Sequence, residues 1–330
     1  MDPHPSRRPA VAHPDLTARA IRAALSKVPA VFRLTPQYVH EGLSALAGRP
    51  VVVKVETANP VGSFKGRGTW LAVHALAASG AAAAGRPVVV ASSGNFGQGV
   101  AYAARAAGVD AVVFCDTHAN PRKVERIRRL GTEVVQTGRD FDEARAASER
   151  YAVERGLMLL VDGGEVHVAT GAATLALEVT SGVERGELPS ITDAYVPVGN
   201  GALIVGIGAW LREGAPGCRV VGVQAAGAPS MERSWREGRP VATREAATYA
   251  EGIATRVPVP AALDLMDGRV DEMVLVPEEA LHVAQNVLTD ALGITVEGSA
   301  AASWAGLLAD PAPGVGAALV IVTGANVVRG

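Results

Sequence analysis

The sequence predicts an α/β fold in which parallel sheets are covered by helices on both faces. Short, continuous aliphatic runs recur along the 330 residues, as expected for strands that are buried on both sides. Helical segments separate these runs, and that alternation is typical of parallel sheets. Glycine-rich polar loops follow several of the runs, at the strand ends where such sheets bind their ligands.

The elements follow from these patterns in chain order. Strands are predicted at residues 51–55, 88–91, 111–115, 133–136, 158–161, 194–198, 220–224, 273–276 and 318–323. Helices are predicted between them at residues 68–78, 98–107, 121–130, 140–154, 172–181, 203–212, 277–292 and 299–308. Gly108 and Gly138 stand where a helix and a strand are expected to stop.

Composition excludes several classes of protein. Apolar residues make up 48% of the chain and charged residues 19%, which excludes an intrinsically disordered protein. The formal net charge of −2 provides no overall field for nucleic acid or an anionic membrane surface. Cys115 and Cys218 are too few for a disulfide framework or a cysteine-based zinc site, and they suit a reducing cytoplasm.

The chain also lacks the segments expected of an exported or membrane protein. Residues 1–14 are polar and proline-rich without an apolar core, so we expect a disordered lead rather than a signal peptide. The long uncharged runs at 69–85 and 195–211 are rich in glycine and small residues, which suits buried elements better than a bilayer span. We therefore expect a soluble, cytoplasmic protein.

Three loops carry residues suited to chemistry. Gly199, Asn200, Gly201 and Ala202 follow a strand and open an apolar helix, so their backbone N–H groups could hold a phosphate; a tight packing turn is the alternative. Lys65 lies between glycines at an expected helix start, where a buried amine could act as a nucleophile and base; a solvated surface lysine is the alternative. The third loop offers hydroxyls and an amide to a carboxylate, or simply caps a helix; it contains Ser92, Ser93, Gly94 and Asn95.

Taken together, these loops resemble the fold-type II family of pyridoxal-phosphate enzymes, which includes serine/threonine dehydratases and serine racemase. The matching stretches, in family order, are residues 54–56, 59–68, 91–101, 196–201, 227–230, 250–254, 296–298 and 323–326. Asn-Pro-Val-Gly-Ser-Phe-Lys-Gly-Arg-Gly at 59–68 and Ser-Ser-Gly-Asn at 92–95 are the most specific of them. The resemblance covers nearly all of residues 30–330.

The resemblance implies the cofactor pyridoxal 5′-phosphate and a role for each matching residue. Lys65 would form the Schiff base with the cofactor and then act as the catalytic base. The other cofactor contacts would be Phe64 and Gly252 beside the ring, Asn95 at the 3′-oxygen, Gly199, Asn200, Gly201 and Ala202 at the phosphate, and Thr323 at the pyridine nitrogen. The substrate would contact Ser92, Ser93, Asn95 and Phe96.

These roles favour β-elimination from a serine- or threonine-like amino acid, which yields a 2-oxo acid and ammonia. A hydroxyl at Thr323 cannot protonate the pyridine as a carboxylic acid does, which disfavours transamination. The resemblance implies that the leaving hydroxyl is protonated through the cofactor phosphate. Racemisation remains an alternative, because Ser93 could act as a second catalytic acid/base. β-Replacement and a binding protein that has lost activity are further alternatives.

Departures from the family pattern leave the substrate side chain open. Phe96 stands where close relatives usually have His, and Asn200 and Ala202 replace glycines of the phosphate loop. Residues 161–164 lack the His-Pro pattern common in threonine dehydratases. Gln224 and Ser230 occupy positions where some relatives carry cation ligands, and we expect no metal because a neutral amide and hydroxyl bind Mg²⁺ or Ca²⁺ poorly.

The resemblance also implies a two-domain architecture and an assembly. A small domain at residues 87–167 would be inserted into a large cofactor-binding domain built from 15–86 and 168–330. The cofactor would lie between the two domains. The expected partners are a small amino-acid substrate and a second copy of the chain in a homodimer, with no nucleic acid and no membrane.

Overall fold

The computed structural model describes residues 10–327, and its secondary structure alternates between strands and helices. The strands are β1 (Gln37–Val39), β2 (Val51–Val55), β3 (Val88–Ala91), β4 (Ala111–Cys115), β5 (Glu133–Gln136), β6 (Leu159–Leu160), β7 (Ile191–Pro197), β8 (Arg219–Ala225), β9 (Glu272–Val276) and β10 (Ala317–Val322). The helices are α1 (Ala18–Lys27), α2 (Glu41–Ala47), α3 (Lys65–Ala78), α4 (Asn95–Ala107), α5 (Pro121–Arg128), α6 (Phe141–Arg155), α7 (Val166–Glu184), α8 (Ala202–Gly214), α9 (Ser230–Glu237), α10 (Pro260–Met266), α11 (Glu278–Leu292) and α12 (Gly298–Ala309).

The strands form two separate sheets. The larger sheet has six strands in the order β1-β2-β10-β7-β8-β9, and the smaller has four in the order β5-β4-β3-β6. Every strand pair is parallel except β1 with β2, which is antiparallel at the edge of the larger sheet. The smaller sheet uses only strands that lie between residues 88 and 160, whereas the larger uses strands on both sides of that segment.

The continuous aliphatic strands of the larger sheet are buried on both faces, as the sequence predicts. All five residues of β2 and all six of β10 are buried. Side chains alternate along a strand, so Val52 and Leu319 pack into one core while Val53 and Val320 pack into the other. Helices α7 and α8 contribute to the first core and α11 and α12 to the second. The predicted α/β fold with parallel sheets is confirmed.

The structure adds elements that the aliphatic pattern did not reveal. The edge strand β1 is short, and its central and last residues are exposed, so it carries no apolar run. The additional helices α1, α2, α9 and α10 have between seven and ten residues each. Helix α7 runs from Val166 to Glu184, so it begins earlier and ends later than the predicted 172–181.

A buried cluster of charges holds helix α3 against the larger sheet and α7. The Arg67 side chain is only 1% exposed, and it donates to Glu56 at 2.9 Å through Nε and to Glu178 at 2.8 Å through Nη1. Lys54 also donates to Glu178, at 2.6 Å, and the hydroxyl of Thr35 donates to Glu56 at 2.5 Å. Two cations thus face two anions in the interior. Arg67, the central member of this cluster, lies two residues after the start of α3.

Most of the expected lead at residues 1–14 lies outside the described residues; within the described part, the Val11 carbonyl accepts a hydrogen bond from Arg269 at 2.7 Å. Between residues 10 and 327, none of the helices combines the length and the apolar character needed to cross a lipid bilayer.

Candidate active site

A cavity of about 860 Å³ lies where loops from both sheets meet. Its volume falls within the ~300–1,000 Å³ typical of small-molecule and cofactor sites. All the residues predicted for the site line this cavity: Phe64, Lys65, Ser92, Ser93, Asn95, Phe96, Gly199, Asn200, Gly201, Ala202, Gly252 and Thr323. Residues from five separate loops are therefore brought to one place.

Lys65 is the first residue of α3, and the loop that follows β10 fixes its backbone. The Phe64 N–H donates to the Thr323 carbonyl at 3.0 Å, and Ser63 forms a β-bridge with Gly324. The Lys65 side chain is 12% exposed, and its Nζ lies 2.5 Å from Oδ1 of Asp162. A primary amine is thus held inside the cavity by an ion pair rather than extended into solvent.

Two aromatic rings flank this amine. Nζ of Lys65 lies 5.0 Å from the centre of the Phe64 ring and 5.5 Å from the centre of the Phe96 ring. Phe96 is 3% exposed, and it belongs to the core cluster that lies between the smaller sheet and α4. Phe96 therefore forms an apolar wall of the cavity and packs in the core at the same time.

The loop between β7 and α8 presents bare backbone to the cavity. Gly201 precedes α8 with a φ of 95°, and no side chain caps the helix. The first intrahelical bond runs from the Val205 N–H to the Gly201 carbonyl, so the N–H groups before it have no partner within the helix. A Cβ placed on Gly199 would lie 2.3 Å from the Gly252 carbonyl oxygen, which excludes any side chain there. Such a turn fits a phosphate group.

We expect Gly201→Ala to weaken cofactor binding. Its φ of 95° is unfavourable for a residue with a Cβ, and the added atom would lie 3.0 Å from Ala262. A penalty of ~1–2 kcal/mol corresponds to a roughly tenfold higher Kd for pyridoxal phosphate. Fluorescence titration of the cofactor-free protein measures this Kd. Gly217→Ala, which adds a Cβ in open space, is the control, and equal affinity of the two variants would contradict the assignment.

The loop between β3 and α4 supplies the second polar wall. Asn95 begins α4, and its Nδ2 donates to both oxygens of Glu297 at 3.1 and 3.0 Å. Its Oδ1 accepts a hydrogen bond from Nδ2 of Asn326 at 2.6 Å. Ser92 Oγ accepts the Gly94 N–H at 3.2 Å, so one hydroxyl organises the loop. Ser93 lines the cavity beside it.

Ion pairs cross the mouth of the cavity. Arg256 donates through Nε to Asp142 on α6 at 2.6 Å, and Lys123 on α5 pairs with Glu251. Both pairs join a helix beside the smaller sheet to the segment that contains Gly252. They are partly exposed, so they contribute modestly to stability and respond to salt.

The predicted site omitted three residues that the structure brings into contact with it. Asp162 pairs with Lys65, while Glu297 and Asn326 bind Asn95. Glu297 and Asn326 lie in stretches that carry the family resemblance, and their position in those stretches was an available signal. Asp162 stands in a segment that departs from the pattern, and only the tertiary structure shows its proximity to Lys65.

The polar side chains at the positions where some relatives carry cation ligands form hydrogen bonds within the protein. Gln224 Oε1 accepts the Glu232 N–H at 2.9 Å, and Ser230 Oγ donates to the Thr255 carbonyl at 2.5 Å. Over residues 10–327, no group of three or more His, Cys, Asp or Glu side chains is placed to hold a metal ion. The expectation of no metal stays a prediction.

Comparison with known proteins agrees with this geometry. The pyridoxal-phosphate dependent enzyme family matches residues 30–324. The L-threonine ammonia-lyase of Geobacter sulfurreducens is 38% identical over 79% of this chain and 63% of its own length. That of Thermotoga maritima is 33% identical over 89% of this chain and 71% of its own. The chain thus spans less than two thirds of the first relative's length.

Solved structures agree as well. The crystal structure of the T.th. threonine deaminase superimposes with a TM-score of 0.85 at 28% identity, covering 95% of this chain and 99% of that one. The processed form of threonine deaminase isoform 2 from Solanum lycopersicum gives a TM-score of 0.87 at 27% identity, covering 98% and 88%. The predicted fold-type II architecture is confirmed, and the chain belongs to the family of pyridoxal-phosphate dependent enzymes.

Proposed function

We propose that this protein is an ammonia-lyase that removes the β-hydroxyl and the amino group of a serine- or threonine-like amino acid. The products are a 2-oxo acid and ammonia. The observation that carries the proposal is the Lys65 amine, held inside a cavity whose other walls are a bare phosphate-type loop and a hydroxyl-rich loop. The similarity to two L-threonine ammonia-lyases supports the same reaction.

We assign the cofactor contacts to the residues around this amine. Lys65 would hold pyridoxal phosphate covalently, the 199–202 loop would bind its phosphate, Asn95 and Thr323 would contact ring substituents, and Phe64 and Gly252 would flank the ring. When bound, the cofactor withdraws electrons from the substrate Cα and so makes its proton acidic. The fit rests on the uncapped start of α8 and on the absence of room for side chains at Gly199.

The protein's own groups would then move the protons. Ser92, Ser93 and the N-terminus of α4 would bind the substrate carboxylate, since a helix N-terminus with nearby hydroxyls favours an anion. Lys65, released from the cofactor by the substrate amine, would accept the Cα proton as a general base. The walls formed by Phe64 and Phe96 would keep water away from this amine.

Thr323 would favour elimination over transamination. It follows β10 and is 5% exposed, so its hydroxyl would meet the cofactor in a nearly dry environment. A hydroxyl cannot supply the formal positive charge that a carboxylic acid gives a pyridine nitrogen, and negative charge at Cα is then stabilised less. Rapid loss of the β-substituent suits such a site.

A panel of L-amino acids tests the proposal. The cofactor-loaded protein is incubated with each one, and ammonia and 2-oxo acid are measured together. We expect both products in equal amounts from serine, threonine or a related β-hydroxy acid. If no β-hydroxy amino acid releases them while the protein retains its visible cofactor band, the proposed function is wrong.

Racemisation is a second candidate, because Ser93 lines the same cavity as Lys65. A hydroxyl on the opposite side of Cα could return the proton with inverted configuration. We expect a minor D-serine product that carries deuterium when L-serine is incubated in deuterated water. Ser93→Ala should remove this product and largely retain elimination. Chiral chromatography with mass spectrometry measures it, and absence of D-serine from the unmodified protein excludes racemisation.

We also propose the domain division and assembly expected from the sequence. The four-stranded sheet, with all its strands between residues 88 and 160, supports a small domain at 87–167 within a large one at 15–86 and 168–330. Two buried free cysteines suit the cytoplasm.

Exposed apolar side chains at and near the edge strand β1, including Leu34 and Tyr38, support a homodimer. Sedimentation of the loaded protein measures the mass, and a monomer at micromolar concentration would exclude the dimer.

A further inference from the structure

We propose that Asp162 is the acid that protonates the leaving β-hydroxyl, an inference that rests on the proposed ammonia-lyase function. The starting observation is its position. Oδ1 of Asp162 lies 2.5 Å from Nζ of Lys65, and its side chain is 19% exposed in the cavity. A carboxyl group is therefore in hydrogen-bond contact with the base that takes the Cα proton.

The turn that carries Asp162 is rigid and touches the phosphate-type loop. It joins β6 to α7, and the N–H groups of Gly164 and Glu165 both donate to the Val161 carbonyl, at 2.9 and 3.1 Å. A Cβ placed on Gly163 would lie 2.2 Å from the Asn200 carbonyl oxygen, so the two loops are in backbone contact. Asp162 is thus held at the inner wall of the cavity.

The other carboxylates around the cavity have their own partners. Asp116 accepts the His118 N–H, Asp140 accepts the Glu143 N–H, Asp142 pairs with Arg256, Glu251 pairs with Lys123, and Glu297 accepts from Asn95 and Asn326. Within residues 10–327, Lys65 is the hydrogen-bond partner of the Asp162 side chain, and no second partner is present. Once the substrate amine has released Lys65 from the cofactor, the Asp162 carboxyl would be in reach of the Lys65 amine and, among residues 10–327, held by no other partner.

Elimination of a hydroxyl needs such an acid. The Cα–H electron pair becomes the second bond between Cα and Cβ, and the Cβ–O electron pair leaves with oxygen. Hydroxide is a poor leaving group, so the oxygen must gain a proton as that bond breaks. Lys65 takes the Cα proton, Asp162 receives it across their hydrogen bond, and Asp162 delivers it to the oxygen, which departs as water. No proton is gained or lost by the protein overall.

Comparison of two leaving groups tests the inference. Asp162→Asn keeps the shape of the side chain and removes its acid, and elimination is measured from the best β-hydroxy substrate and from 3-chloro-L-alanine. Chloride leaves without a proton. We expect kcat on the hydroxy substrate to fall by ~10²–10³-fold, a typical contribution of a general acid, and kcat on the chloro substrate to stay within about threefold.

Two controls separate acid catalysis from damage to the site. The visible absorption band of the loaded variant and its Kd for pyridoxal phosphate should match those of the unmodified protein, which shows that Lys65 still holds the cofactor. Asp116→Asn makes the same chemical change elsewhere on the cavity, and its Oδ1 can still accept the His118 N–H. It should turn over both substrates normally. Asp162→Ser serves as a second variant if Asp162→Asn folds poorly.

The outcomes are distinct. Equal losses on both substrates, or loss of the absorption band, would show that Asp162 only positions Lys65, and would overturn the inference. An unchanged kcat of Asp162→Asn on the hydroxy substrate would assign the acid to another group, such as the cofactor phosphate. That result would also overturn the inference. Failure of the unmodified protein on every hydroxy amino acid would instead reject the proposed function.

Discussion

Replacement of Lys65 by alanine should nearly eliminate turnover and remove the visible absorption band near ~410–420 nm that is expected of cofactor joined to a lysine. Lys65 is assigned both the covalent attachment and the Cα proton transfer, and no other amine in the described chain is paired with Asp162 in the cavity. General-base catalysis alone is worth ~10²–10⁴-fold, so we expect kcat to fall by more than about 10³-fold. Absorption spectroscopy and an ammonia assay of the purified variant measure both effects.

Lys123 provides the matched control for this prediction. It also lines the cavity, but its amine pairs with Glu251 at the mouth. Lys123→Ala should retain the absorption band and most of the activity. If Lys65→Ala kept its band while Lys123→Ala lost it, the attachment site would be reassigned to Lys123.

Replacement of Arg67 by methionine should strongly destabilise the fold. Arg67 is 1% exposed and donates to Glu56, Glu178 and Thr35. Methionine fills part of the space but leaves the two carboxylates in the interior to share the single charge of Lys54. Breaking a buried ion pair in this way typically costs ~3–5 kcal/mol, and urea unfolding of the cofactor-free protein measures it.

The control is an arginine at the surface. Arg129→Met removes a helical ion pair with Glu125 in which both side chains are at least half exposed, and it should change the free energy of unfolding by less than ~0.5 kcal/mol. If the free energy of unfolding fell by a similar amount in the Arg67 and Arg129 variants, the stabilising role of the buried cluster would be contradicted. Since Arg67 lies two residues from Lys65, the Arg67 variant should also bind the cofactor more weakly.

The same cluster predicts how stability depends on pH. Burial acts to raise the pKa of the Glu178 carboxyl, but the hydrogen bonds and charge of Arg67 and the charge of Lys54 outweigh it and hold the pKa below its ordinary value. A lowered folded-state pKa stabilises the fold above the unfolded-state pKa of ~4.3, and this stabilisation is lost as pH falls through the folded-state value. Removing Arg67 removes the main cause of the shift, so the difference in unfolding free energy between the two proteins should stay level from pH 7 to about pH 5 and narrow as the pH falls below ~4.3.

Much of the fold could be predicted because burial on both faces leaves a clear record in the sequence. Strands β2, β3, β4 and β10 are continuous aliphatic runs, and their predicted positions agree with the structure to within one residue. Strand β1 has no such run, because it lies at the sheet edge and two of its three residues are exposed. Periodicity also did not reveal α1, α2, α9 and α10, because these short helices bury only one to three apolar side chains each.

The candidate site was predictable where chemistry depends on local sequence. Gly201 has the positive φ that its own loop requires, and Lys65 stands in a distinctive segment. Asp162 and Arg67 depend instead on contacts between residues that are 97 and up to 111 positions apart. Such contacts follow from the packing of the two sheets and α3, and no spacing rule in a single sequence encodes them.

Reduction of the cofactor-loaded protein with borohydride, followed by proteolysis and mass spectrometry, tests the central claim most directly. Borohydride converts an imine between lysine and pyridoxal phosphate into a stable amine. We predict one modified peptide, which carries the pyridoxyl phosphate on Lys65. Modification of a different lysine, or an unmodified Lys65 in protein that still eliminates ammonia, would contradict it.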